Sequence, residues 1–374
     1  MYDRYIPRGK RSKPRGQAQW DAEAEAAARA DLGQETAALR PEMFGHLCWM
    51  GFGDFWPIDD INLGFALSRL TEGDKSFAIR VVNGDAGPSD PHGYILNRRG
   101  HITDGRAIIA TKRKLFRTYR KWVNNQSWCG THGEKAVYTT LNEGHSTGRY
   151  ALTTTPTSLG NEHTIEGFTL PDNRTLDVVA QVFDEDFNKA ATLCVEVKNI
   201  ADWIHPNSPA LWQLLYGAAL VAKALPKTRI LPLLAAPFAH FQAHAFAADA
   251  GFLIWTYHSQ LFSPTVQREE FDAVAGRLGL PAHRRSSHEP LPIRDWLRTY
   301  LRNTPSQALR GLSLSRDSTD DPPLYTRQPE RFAVTAEAIL AAMDDNESVS
   351  RKTGRASRLR HNEAIVFVLP WLVC

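Results

Sequence analysis

The stretch 176–198 constrains this chain more than any other. It reads Leu-Asp-Val-Val-Ala-Gln-Val, a polar interruption, then Leu-Cys-Val-Glu-Val-Lys. Two valine-rich runs around a charged break predict adjacent strands over 175–183 and 192–198, turning through Asp184, Glu185 and Asp186. Strand side chains alternate, so Glu196 and Lys198 leave one face while Val195 and Val197 leave the other. A carboxylate and an amine on an otherwise apolar strand are costly to desolvate unless paired or bound to something. Asp177 begins the first strand, and in a hairpin it lies near Glu196. Two like charges in a partly dry site repel, and one takes a proton unless a cation stands between them. Hard oxygen ligands with few protein contacts suit Mg²⁺, for which Mn²⁺ substitutes. An acid-x-lysine tripeptide alone is expected about once by chance in a chain of this composition, so the weight rests on the second carboxylate and its context.

That context is mixed. His132-Gly133-Glu134 opens a predicted helix over 134–142, and a strand is expected at 150–154. Beyond Lys198 come a helix over 210–224 carrying Gln213, a strand over 229–235, a helix over 239–250 closed by Gly251, and a strand over 252–257. The order αβββαβαβ implies an α/β class with a central sheet flanked by helices. Glu134 reads either as a site carboxylate or as a first-turn acid favoured by the helix dipole. Gln213 reads either as a site amide or as a surface glutamine. His205, His240 and His244 lack an H-E-x-x-H frame and read as packed or polar-face histidines.

Asp177, Glu196-Val197-Lys198, the helix with Glu134, the helix with Gln213 and the β-α-β ending at Tyr257 together resemble the PD-(D/E)xK nuclease superfamily, over residues 133–262. The resemblance implies a restriction-endonuclease-like core with a central mixed sheet. It implies that Asp177, Glu196 and the carbonyl of Val197 hold Mg²⁺, and that Lys198 orients or deprotonates the attacking water. It further implies that Glu134 completes the metal shell or supports a second ion, and that Gln213 positions the site or the phosphate. A restriction or defence endonuclease acting on double-stranded DNA is the expected function. A junction-resolving or repair nuclease of the same fold is the alternative within enzymes, and a catalytically silent nucleic-acid- or protein-binding module the alternative outside them. The resemblance also implies a homodimer, since each such core cuts one strand. Leu176 rather than proline precedes Asp177, and the interval to Glu196 is long and holds three further acids.

The flanks differ in texture. Residues 1–40 combine a basic arm, Arg4 to Arg15, with an alanine- and glutamate-rich helix over 20–39; the arm either grips phosphates or solubilises the chain. Residues 41–127 are aromatic and basic, with a helix ending near Leu70, strands over 77–82 and 94–96, and a helix over 107–123. This α/β segment is compatible with a winged-helix module. The last helix sets Lys112, Arg113, Lys114, Arg117, Arg120 and Lys121 around Leu115, Tyr119, Trp122 and Val123. It reads as a phosphate-contacting face or as a solvated basic face without a partner. The core is expected over 128–262, with a mainly helical extension over 263–374.

Composition is globular, with 43% hydrophobic and 23% charged residues. The net charge is only +3, but the middle third is acidic and both flanks are basic, which reads either as a central cation site beside polyanion-binding surfaces or as ordinary fluctuation. The four cysteines form no C-x-x-C pair, which argues against a zinc knuckle or disulfide framework and for a reducing, cytoplasmic setting. No stretch reads as a secretory signal or membrane span, so no membrane partner is expected.

Overall fold

A computed structural model describes residues 16–50, 58–73, 76–81, 91–98, 101–123, 126–144, 150–183, 188–200, 203–257, 261–262, 268–278, 285–286 and 324–353. The basic arm, the turn at 184–186, residues 287–323 of the expected extension and the basic residues beyond Lys352 lie outside the described residues. In chain order the elements are α1 (Gln17–Glu35), β1 (Ala37–Leu39), α2 (Arg40–Phe44), a π-helix (Gly45–Met50), α3 (Asp60–Thr71), β2 (Ala78–Val81), β3 (Gly93–Leu96) and α4 (His101–Val123). There follow α5 (Gln126–Gly144), β4 (Tyr150–Leu152), β5 (Thr164–Ile165), β6 (Phe168–Thr169), β7 (Val178–Phe183), β8 (Lys189–Val197), α6 (Pro209–Ala224), β9 (Ile230–Ala236), α7 (Phe241–Ala250) and β10 (Leu253–Thr256). The remaining elements are β11 (Leu261–Phe262), α8 (Arg268–Arg277), β12 (Arg285–Ser286) and α9 (Leu324–Thr353).

Two compact units result: residues 1–128 with 264–284, and residues 129–263 with 285–374. The tail expected as one extension is therefore shared between them. In the first unit, β1, β3 and β2 form an antiparallel sheet in that order. The sequence predicts helix through Leu39, but α1 stops at Glu35 because Thr36 takes φ 61°, after which Ala37–Leu39 pairs with β3. The carboxylate of Asp59 caps α3 by accepting from the amide of Asn62 at 2.7 Å.

The second unit is built on a five-stranded mixed sheet, ordered β10-β9-β8-β7-β4. β4, β7 and β8 are antiparallel neighbours, whereas β8, β9 and β10 run parallel with α6 and α7 as crossovers. Strand alternation sorts the side chains between two cores. Val179, Cys194, Leu234 and Ile254 pack under α6, α7 and α9, against Leu215, Ala219, Phe246 and Phe332. Val178, Val195, Val197, Leu233 and Trp255 face the other way, toward Ala136, Val137 and Leu141 of α5. Val195 and Val197 are almost fully buried, a burial that contributes about 1.5–3 kcal/mol apiece. Pro232 sits inside β9, where a missing amide hydrogen is normally disruptive. The register explains its tolerance: β10 begins at Leu253, opposite Leu233, so no strand residue stands where the Pro232 amide would donate.

Candidate active site

Pairs of β7 and β8 run Val179↔Cys194 and Val178↔Val195. Asp177 stands just before Val178, where the paired register begins, and lies beside the Val195–Val197 stretch of β8. The Asp177 amide donates to the Val195 carbonyl at 3.1 Å, and its Oδ2 accepts from the Val197 amide at 2.6 Å. Both carboxyls are buried, Asp177 at 8% exposure and Glu196 at 1%. Lys198 follows on the same face as Glu196, and its ammonium donates to Glu196 Oε1. The other oxygen, Glu196 Oε2, is buried without a hydrogen-bond partner.

A third carboxylate arrives from α5. At Gly133 a side chain would come within 2.7 Å of the Asn199 Cβ and 3.3 Å of Val197 Cγ1, so the absence of one lets this helix approach the end of β8. The next residue, Glu134, lies against Gly160, where an added Cβ would sit 2.3 Å from Glu134 Oε2. Gly160 takes φ 76°, and its amide donates to the Asp177 carbonyl at 3.0 Å, which ties the loop to the same strand end.

The electrostatics follow from burial and crowding. Burial first, then the Asp177 charge, pushes Glu196 up to about 8 against the pull of Lys198. Glu134 rises to about 7 for the same two reasons. Burial also raises Asp177, opposed by the Val197 amide and by Lys198. Burial works against the Lys198 charge, but Glu196, Asp177 and Glu134 together raise it. Three carboxyl groups thus share one ammonium, the unequal balance that a divalent cation corrects.

The donor set suits a hard cation. Asp177, Glu196 and Glu134 offer oxygens, and the Val197 carbonyl lies on the strand side of its own amide, toward Asp177. The orphaned Glu196 Oε2 is a ligand atom without a partner. Among the described residues no three His, Cys, Asp or Glu side chains are drawn tight enough to enclose an ion. Lys198 supplies the positive charge in this arrangement.

Other expected site residues fall elsewhere. Gln213 is exposed on α6 between buried Trp212 and Leu214, out in solvent rather than among the buried carboxyls. On α4, Lys112 is committed internally: its ammonium bonds Glu42 Oε1 at 2.6 Å, the Ala37 carbonyl at 2.9 Å and Glu35 Oε2 at 3.1 Å. Arg113 donates to the carbonyls of Val81 and Pro91. These two therefore hold the first unit together instead of presenting charge to phosphate. Lys114 and Arg117 are exposed, Arg120 is half-buried, and the Lys121 side chain lies outside the described residues. The His205 and His240 rings lie 5.1 Å apart, and His240 Nδ1 accepts from the Gln242 amide at the start of α7. Gly160 carries no local sequence signal of this role, since its closeness to Glu134 depends on long-range pairing.

No family model, curated protein or solved structure matches the chain. Among the described residues no helix is long and apolar enough to cross a membrane.

Proposed function

We propose that the second unit is a metal-dependent phosphodiesterase of the restriction-endonuclease-like fold, acting on DNA. The observation that carries this reading is two buried carboxyls, Asp177 on the Val197 amide and Glu196 one residue before it, with Lys198 on one Glu196 oxygen and the other oxygen without a hydrogen-bond partner. The succession α5, the antiparallel β4-β7-β8, then the parallel β8-α6-β9-α7-β10 supports it. Asp177, Glu196, the Val197 carbonyl and Glu134 would hold Mg²⁺. Bound there, Mg²⁺ supplies charge neutralisation for the phosphate and a more acidic water.

The chain's own groups do the rest. The Val197 amide opposes the upward push of burial on Asp177 and fixes where its carboxyl points. The Lys198 ammonium would stand beside the attacking water and a phosphoryl oxygen and stabilise the charge that develops. The water oxygen bonds to phosphorus as the bond from phosphorus to the leaving sugar oxygen breaks. The water's protons end on solvent and on the leaving oxygen, giving a phosphate monoester and a sugar hydroxyl.

A panel of linear, branched, single-stranded and modified DNAs, incubated with Mg²⁺ or with chelator, tests the reading and separates restriction-type from junction or repair cleavage. Failure to cut every substrate at any divalent concentration overturns it. The closed Lys198–Glu196 pair favours a second reading, a site sealed by its own lysine that grips nucleic acid without cutting it. Calorimetry with Mn²⁺ separates the two, because the sealed site takes up no ion.

A further inference from the structure

β8 and β9 pair in parallel, with Val197 opposite Ala235. In such a ladder a residue on one strand donates to the residue before its partner and accepts from the residue after it. Thr192, opposite Ile230, accordingly donates to the Arg229 carbonyl at 2.8 Å, and Lys198, opposite Ala236 by the same register, donates to the Ala235 carbonyl at 2.8 Å. The next rung would run from the amide of residue 237 to the Lys198 carbonyl. Residue 237 is proline and has no amide hydrogen.

The Lys198 carbonyl nevertheless has a donor. The hydroxyl of Tyr257 donates to it at 2.8 Å. Tyr257 directly follows β10, is 2% exposed, packs its ring on Trp255 with centroids 5.0 Å apart, and donates its own amide to the Ala236 carbonyl at 3.1 Å. One residue therefore fastens the ends of β8 and β9 to that of β10. The proline also frees the chain to diverge: β8 advances from Lys198 to Ile204 while β9 advances only from Ala236 to Ala239, where the two pair again. This divergence opens the carboxyl end of the parallel strands, the usual place for a ligand crevice in such sheets.

We infer that Tyr257 is a positioning residue for Lys198, its hydroxyl replacing the ladder donor that Pro237 removes. Held at both its amide and its carbonyl, the Lys198 backbone keeps a fixed φ and ψ where the strand would otherwise fray, and its ammonium keeps its aim. The inference rests on Lys198 being a working group of the proposed hydrolysis.

The test compares the full chain with Tyr257→Phe and with Tyr257→Phe/Pro237→Ala, the second restoring a backbone donor. Tyr257→Phe should lower kcat about tenfold to a hundredfold with KM unchanged. Lys198 labelling by acetic anhydride, followed by mass spectrometry with Mg²⁺ omitted, should become faster. The double variant should recover both kcat and the slow labelling. Wild-type kcat and labelling in Tyr257→Phe overturn the inference, as does a loss that Pro237→Ala leaves unrepaired. Should Tyr257→Phe fail to fold by circular dichroism, the double variant decides: slow labelling in its folded form supports the inference and fast labelling overturns it. If the wild-type chain cuts no nucleic acid, the hydrolase reading falls alone, because the labelling rates still judge the Tyr257 contact.

Discussion

The buried carboxyls of Asp177 and Glu196 lie close enough for the charge of one to raise the other, Asp177 accepting from the amide of Val197, the residue after Glu196. A fold tolerates this when protonation or a cation relieves it. Glu196 carries a folded value of about 8 against an ordinary 4.5, and Glu134 about 7. Both are raised, so the native state binds more protons than the unfolded chain between these values. Their stabilising contribution is full below pH 4.5 and is lost as pH rises through about 7 and then about 8. In chelator, urea unfolding should show stability declining from pH 5 to pH 9, with the decline shallower in Glu196→Gln. Mg²⁺ should raise the thermal midpoint more at pH 8 than at pH 5.

Lys198→Ala should reduce cleavage about a hundredfold or more while leaving the circular dichroism spectrum unchanged. Lys198→Arg should rescue poorly, because a planar guanidinium does not reproduce a compact ammonium against Glu196 Oε1. Undiminished cleavage by Lys198→Ala would sink the mechanism.

Mn²⁺ titrated calorimetrically should bind the wild-type chain, fail to bind Asp177→Ala, and bind Glu134→Gln more weakly. Equal heats in all three would mean that the ion sits elsewhere.

Gly160→Ala tests the seat of Glu134. The new Cβ would meet Glu134 Oε2 at 2.3 Å, and the backbone at φ 76° disfavours any side chain. A stability loss of about 1–2 kcal/mol is expected from the backbone alone. Reduced Mn²⁺ affinity should accompany it as Glu134 is displaced. Glu134→Gln combined with Gly160→Ala should show less than the summed affinity loss.

On α4 the exposed and internal cations should separate cleanly. Lys112→Met leaves Glu42 buried without its ammonium and should cost about 3–5 kcal/mol in denaturant unfolding. Lys114→Ala should change stability by no more than about 0.5 kcal/mol, and Arg117→Ala is its companion on the exposed side of the helix. They should weaken DNA binding and flatten its salt dependence if this face meets phosphate.

Alternation along 176–198 was enough to read two strands, the shared face of Glu196 and Lys198, and the burial of Val195 and Val197. These are consequences of period two and need no partner. The strand at Ala37–Leu39 was not legible, because alanine and leucine favour helix and the break at Thr36 carries neither glycine nor proline. α5 begins eight residues before Glu134; Gly130 and Gly133 weaken helix propensity locally, yet Gly133 is what lets the helix reach β8. The commitment of Lys112 to Glu42 and Glu35, and of Tyr257 to Lys198, depends on pairing over 59 to 77 positions, which leaves no local pattern to read.

α9 carries Phe332, Ala336 and Ile339 into the same core as Leu215, Ala219 and Phe246, and Arg331 reaches the Ala248 carbonyl at 2.8 Å. The ribosome finishes β10 long before it makes these residues. At about 5–20 residues per second, roughly 4–15 seconds of translation separate Thr256 from Phe332. For that interval the side of the nascent sheet already covered by α6 and α7 lacks the α9 part of its cover, a window in which a chaperone holding the emerging chain would matter more than for a protein whose core closes in order.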